Sequence, residues 1–155
     1  MFPAEFITRF STLSRLHRVA AYCLEFFHNA RNPSLRRTCY LTSTALYACI
    51  KIAQQDIYSQ EISDLSKKGQ DSSKNQLQPL HPFLDKEGYL RVGGRLQHSH
   101  LPHDYKHKRT LHLAHHITEL IIMDEHLRFL HAGPQLLSAS LIQQHWIPRM
   151  KQVRC

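Results

Sequence analysis

Apolar side chains recur at helical steps through the first part of the chain. Phe6, Phe10, Leu13, Ala20, Leu24 and Phe27 follow three- and four-residue intervals, with a longer gap across His17, and describe one face of an amphipathic helix. Pro33 disfavours helical geometry in the residue before it, so this helix is predicted to yield between Ala30 and Asn32. A basic connector with Arg36 and Arg37 follows. Leu46, Cys49, Ile50, Ala53 and Ile57 then mark a second helix, with Thr42 as a candidate N-cap. Ala45 stands where a capping-box glutamate would stand, so that start is only half marked. The two helices, at 6–31 and 41–65, are expected to pack as an antiparallel hairpin.

The pattern then changes. SKKGQDSSKNQLQ, from Ser66 to Gln78, is nearly free of large apolar groups and reads as a linker. In HPFLDKEGYLRVGGRL, Asp85 to Gly88 forms a turn, and Tyr89, Leu90 and Val92 a short strand closed by Gly93 and Gly94. A second short strand is expected from Thr110 to Leu113, with the polar, histidine-rich stretch from Gln97 to Arg109 as a loop between them. Helical spacing returns at Ile117, Leu120 and Ile121, continues through Leu127 and breaks near Gly133 and Pro134. Leu137 and Leu141 mark a last helix, expected to run to Trp146, whose spacing makes it a core anchor rather than a stacking platform. The fold class is therefore mainly α with a small β element. The organisation is a helical hairpin over 1–65, a linker over 66–78 and a second unit over 79–155.

Composition constrains the class without choosing the function. Apolar residues make up 42% and charged residues 21% of the 155, which suits a packed domain and argues against wholesale disorder. The net charge of +8 suits a polyanionic partner, nucleic acid above all. That excess is spread evenly along the chain, so no basic tail stands out. The densest patch runs from Lys86 to Arg109, and Arg91, Arg95, Lys106, Lys108 and Arg109 are its candidate phosphate contacts. Tyr89, Tyr105 and Trp146, with Arg91, Arg95 and Arg149, form a second way to clamp nucleic acid by stacking. Cys23, Cys39, Cys49 and Cys155 include no C-x-x-C pair and read as reduced thiols. With no secretory leader and no apolar run long enough for a membrane span, the expected setting is soluble and intracellular, in nucleus or cytoplasm.

Two histidines carry the clearest candidate chemistry. His126 and His131 form an H-x-x-x-x-H pair late in the predicted helix, with Gly133 close behind to let the chain bend so that both rings face one point. In a chain with 13 histidines such spacing also arises by accident. No frame for other chemistry is present: neither H-E-x-x-H nor its inverted form occurs, and Gly93-Gly94 lacks the spacing of a phosphate-cradling loop.

The surrounding text is more specific than the histidines. LDKEGYLRVGGRL at 84–96, HHITELII at 115–122, the His126 to Gly133 segment and Trp146-Ile147-Pro148 resemble, in order and separation, the integrase zinc-binding region of BEL/Pao-class LTR retrotransposon polyproteins. RFSTLSRLHRVAAYCLEF at 9–26, LTSTAL at 41–46 and LQPLHPFLD at 77–85 are similar to the segment upstream of integrase in those polyproteins. The resemblance implies a three-helix, helix-turn-helix-like module in which two histidines and two cysteines hold a structural zinc. It also implies binding to the ends of the element's DNA in support of DNA integration. The histidine positions carry over onto His126 and His131.

The cysteine positions do not carry over. The family's C-x-x-C lies well beyond the tryptophan, whereas Cys155 follows Trp146 by nine positions and falls where the family has a basic helix. The zinc module is therefore expected to be incomplete, with weak or absent zinc binding, and His116 and His145 are the substitute ligands to weigh. The integrase catalytic core, which the resemblance places further on, is not within these residues, so the chain is expected not to be an enzyme. The competing expectation is a protein-interaction or self-association module, or an inert remnant, whose helices pair with a partner or with themselves.

Overall fold

The computed structural model describes Pro3, residues 5–34, 42–68 and 77–93, His100, and residues 102–131 and 133–148. Among them the chain is mainly helical, with a small four-stranded sheet. The helices are α1 (Glu5–Thr8), α2 (Leu13–Arg31), α3 (Thr42–Ile57), α4 (Ser59–Lys68), α5 (His103–Lys106), α6 (His116–Arg128) and α7 (Pro134–Gln144). The strands are β1 (Pro82–Leu84), β2 (Leu90–Val92), β3 (Lys108–Thr110) and β4 (His145–Trp146). No described helix is long and apolar enough to cross a membrane.

The first apolar stripe is cut in two. Arg9 to Thr12 leave the helix between α1 and α2, and Thr12, in extended conformation, stands as the N-cap of α2. Ile7, Leu13, Leu16 and Ala20 still point into one core, because the break preserves the side that is buried. The stop near Asn32 is where proline geometry puts it, and the Asn32 amide closes on the His28 carbonyl at 2.9 Å. The second stripe yields α3 and α4, with Tyr58 between them.

The core crosses the expected boundary between units. Leu16, Ala20, Ala45, Cys49 and Ile50 from α2 and α3 share one cluster with Ile117, Leu120, Ile121, Leu137 and Leu141 from α6 and α7. The hairpin at 1–65 and the segment from 79 onward therefore do not have separate cores. Of the linker, Ser66 to Lys68 belong to α4, Leu77 is buried, and residues 69–76 lie outside the described residues.

A second cluster sits beneath the sheet. Tyr58, between α3 and α4, and Leu65 of α4 meet Leu77, Leu90 and Val92, with Trp146 packed against them. Burying each such aliphatic side chain contributes roughly 1.5–3 kcal/mol. The sheet order is β1-β2-β3-β4, antiparallel at the first two junctions and parallel at the last. Several elements differ from expectation. The strand expected over Thr110 to Leu113 is β3, ending at Thr110 because only Lys108 and Arg109 find partners on β2, and the stretch expected as a loop up to Arg109 carries α5. Pro82 to Leu84 form a strand, because the turn at Asp85 folds them back onto β2 in register Phe83 with Arg91. Trp146 lies on β4 instead of ending a helix: α7 stops at Gln144 and His145 turns extended to pair with Arg109.

Candidate nucleic-acid interface and histidine pair

Sheet register determines the setting of the arginines. Because side chains alternate across a strand, Phe83, Arg91, Arg109 and His145, opposite one another in successive strands, form one row on one face. Two neighbouring guanidinium groups would repel, and carboxylates offset them. Arg91 donates from Nε to Asp85 Oδ2 at 2.5 Å and from Nη1 to Asp104 Oδ1 at 2.8 Å and the His107 carbonyl at 2.6 Å. Arg109 reaches Asp104 Oδ1 from Nη2 at 3.4 Å and lies 4.0 Å from the centroid of the Tyr47 ring.

The ionisation states follow from these contacts. Burial alone would raise Asp85, but the Arg91 hydrogen bond and the amides of Tyr89 and Glu87 hold its carboxyl below the ordinary range. Asp104 is lowered in the same way, its burial outweighed by Arg91 and Arg109. His145, at the end of the row, is pushed down to about 4, first by burial and then by the charge of Arg109. It stands neutral at ordinary pH beside a buried cation.

Arg91 and Arg109 are thus structural rather than free phosphate contacts. Their exposures are 4% and 6%, and the charges are already met by carboxylates and an aromatic face. Lys106 on α5 and Lys108 on β3 are half-buried, with no ion pair among the described residues, and burial lowers the Lys108 ammonium. Lys86 in the turn is exposed. It lines an open cleft of about 850 Å³ together with Tyr47, His103 and Asp104. Arg95 and Arg149 lie outside the described residues. Of the aromatic candidates, Tyr89 is buried, Trp146 is packed in the lower cluster, and Tyr105 is exposed.

What positions this region is a residue that periodicity did not single out. Gln54 of α3 is 1% exposed and donates from Nε2 to the carbonyls of Leu90 and Thr110, both at 2.8 Å. Its Oε1 accepts from the Leu90 amide at 2.9 Å. One side chain thereby ties α3 to β2 and to β3. Lys51, a turn earlier, donates to the Glu87 carbonyl at 2.5 Å and so fixes the β1–β2 turn to the same helix. Asp85 organises that turn by accepting from the Glu87 and Tyr89 amides, and Gly88 supplies the left-handed residue at φ 80°.

The two histidines do meet. His126 Nε2 and His131 Nδ1 lie 3.0 Å apart at the end of α6, with His131 exposed. The bend that joins them comes from Leu130 and His131 themselves, at φ 51° and 62°, while Gly133 is extended and caps α7. The His131 amide returns to the His126 carbonyl at 3.0 Å. The contact is a hydrogen bond between the rings, one nitrogen donating and the other accepting. Two nitrogens sharing one tetrahedral ion at ~2.0–2.1 Å would sit about 3.3 Å apart with both lone pairs free, so the rings would have to give up this bond to hold a metal as half of a zinc site.

The other half is not supplied by the described residues. No third histidine, cysteine or carboxylate joins the pair there to make a metal-holding group. His116 is engaged elsewhere, Nε2 with the Phe10 carbonyl at 2.7 Å and Nδ1 with Glu119 at 3.2 Å. His145 belongs to the arginine row, and Cys49 is buried in the main core with its thiol pushed up to about 11. Cys155 lies outside the described residues. Compared with models of protein families, with curated proteins and with solved structures, the chain matches none.

Proposed function

We propose that this chain is the zinc-binding region of a BEL/Pao-type retrotransposon integrase with its upstream segment, acting as a non-catalytic DNA-binding unit. The convergence of His126 and His131 at 3.0 Å carries this reading. Those are the two positions onto which the resemblance carries metal ligands, and five residues of arbitrary sequence do not ordinarily bring two imidazoles together through two left-handed residues. The surplus of positive charge, +8 over the chain, supports a polyanionic partner.

The contacts to DNA fall to Lys86, Lys106 and Lys108 among the described residues, because Arg91 and Arg109 are occupied, and to Arg95 beyond them. Fluorescence anisotropy with a labelled duplex, over a range of salt, tests this. Binding weakens linearly in log–log form, and each lysine replaced by alanine flattens the slope by about 0.9 if it neutralises one phosphate. Salt-independent binding, or a slope unmoved by the triple replacement, overturns the reading.

A further inference from the structure

We infer that the exposed side of α2 is a binding stripe for single-stranded nucleic acid, on which Tyr22 and Phe26 stack bases while Arg15 and Arg18 meet phosphates. This surface is separate from the lysines proposed to hold duplex DNA, and the inference does not rest on that reading. Arg15, Arg18, Tyr22 and Phe26 follow one another at three, four and four residues, so they fall within ~80° of one helix side over ~16 Å of axis. All four are exposed, Tyr22 at 65% and Phe26 at 70%, while Leu13 and Ala20 carry the opposite side into the core. Phe27 meets Phe26 in a T-shaped contact, with centroids 6.0 Å apart, and steadies its ring.

Charge and ring chemistry name the partner. From Arg9 to Arg31 four arginines stand against Glu25 alone. Among the described residues the side chains of Arg15 and Arg18 have neither an ion pair nor a hydrogen bond, in contrast to Arg91 and Arg109, so their charges are available to a polyanion. The exposed large apolar side chains of α2 are all aromatic, Tyr22, Phe26 and Phe27, and a flat ring suits the face that every base presents. Spacing then selects the strand state. Rings four residues apart lie ~6 Å apart along the axis, well beyond the ~3.4 Å between stacked neighbours on one strand of a duplex. Two adjacent bases reach both rings only by parting from each other, which a single strand allows and a duplex does not.

The test follows anisotropy of labelled oligothymidylate with the full chain, against its duplex with oligoadenylate and against phosphatidylserine vesicles. Tyr22→Ala and Phe26→Ala should each weaken single-strand binding about fivefold or more, with duplex binding and circular dichroism unchanged. Tyr22→Phe should bind as the unaltered chain does, and Tyr22→Leu, which keeps an apolar group and loses the ring, should fail as Tyr22→Ala does. Arg15→Ala with Arg18→Ala should flatten the salt slope by about 1.4, at ~0.7 per phosphate on a single strand. Replacing Lys86, Lys106 and Lys108 should leave the effect of the two rings in place, so this inference and the duplex reading fail separately. No binding of the single strand, binding indifferent to both rings, Tyr22→Leu binding in full, an unmoved salt slope, or ring-dependent capture by the vesicles alone would each overturn the inference.

Discussion

Replacing Gln54 tests the central joint of the fold. Gln54→Met keeps the length and helix propensity of the side chain and removes all three of its hydrogen bonds, to Leu90 N, Leu90 O and Thr110 O. At 1% exposure no water replaces them. A buried backbone group left unpaired costs about 1–3 kcal/mol, and carbonyls tolerate this better than amides, so the expected loss is about 3–5 kcal/mol. Against a total of about 5–15 kcal/mol for a domain, that is a large share. Gln54→Glu gives a sharper arm. One oxygen still accepts from the Leu90 amide, while the other faces two carbonyl oxygens and can satisfy only one of them, and only when protonated. The folded-state pKa of the new carboxyl therefore lies above its unfolded value of ~4.3. The folded state then binds more protons, so stability relative to Gln54→Met is greatest below pH ~4.3 and falls as pH rises, by about 1.4 kcal/mol per unit, until the folded carboxyl ionises. Urea denaturation of the three proteins from pH 4 to 8 measures this. A Gln54→Met loss under about 1 kcal/mol, or a Gln54→Glu curve parallel to that of the unaltered chain, would refute the reasoning.

Other consequences are equally open to measurement. His145, held at about 4 in the folded chain, ordinarily titrates near 6.5, so the unfolded state binds the extra proton between these values. Its stabilising contribution is present above pH ~6.5 and is lost as pH falls to ~4, by about 3 kcal/mol, and His145→Phe should flatten that part of the stability profile in a denaturation series. Arg91→Ala leaves Asp85, with a side chain 11% exposed, as an unpaired buried charge, and should cost about 3–5 kcal/mol in chemical denaturation. A loss below 1 kcal/mol would mean the ion pair adds nothing. Leu130 is exposed and left-handed, so Leu130→Gly relieves backbone strain and should raise stability by about 0.5–1 kcal/mol, read as a higher melting temperature. An unchanged or lower melting temperature would count against the strain.

Legibility followed the physical reach of each signal. The stripes of α2, α3, α6 and α7 were readable because burial on one side imposes a period of its own on the sequence. The gap between α1 and α2 was not, since Phe6, Phe10 and Leu13 keep the same rhythm across it. Strand β4 was hidden because Trp146 continues the spacing of Leu137 and Leu141, and only pairing with Arg109 and Thr110 makes it extended. Similarly Pro82 to Leu84 become a strand through β2, a partner that no local pattern reveals. Arg91 and Arg109 read as surface cations because their neighbours across the sheet, and Asp104 between them, depend on register. Gln54 carries no signal at all, as an amide on a helix usually faces water. The histidine pair is legible from spacing, but its bend, expected at Gly133, is made by two non-glycine residues. The shared core escaped too, because a polar stretch between two apolar regions says nothing about whether they meet.

That shared core has a bearing on how the chain is made. Leu16 and Ala20 in α2 and Cys49 and Ile50 in α3 are covered in part by Ile117, Leu120 and Ile121, and the Phe10 carbonyl waits for His116, 106 positions later. During synthesis from the N-terminus, the first helices emerge before the helix that covers them exists. At ~5–20 residues per second, the roughly 70 residues from Ile57 to Arg128 take about 4–14 s. For that interval α2 and α3 present an uncovered apolar side, and the nascent chain is a natural client for a chaperone that shields it until α6 arrives.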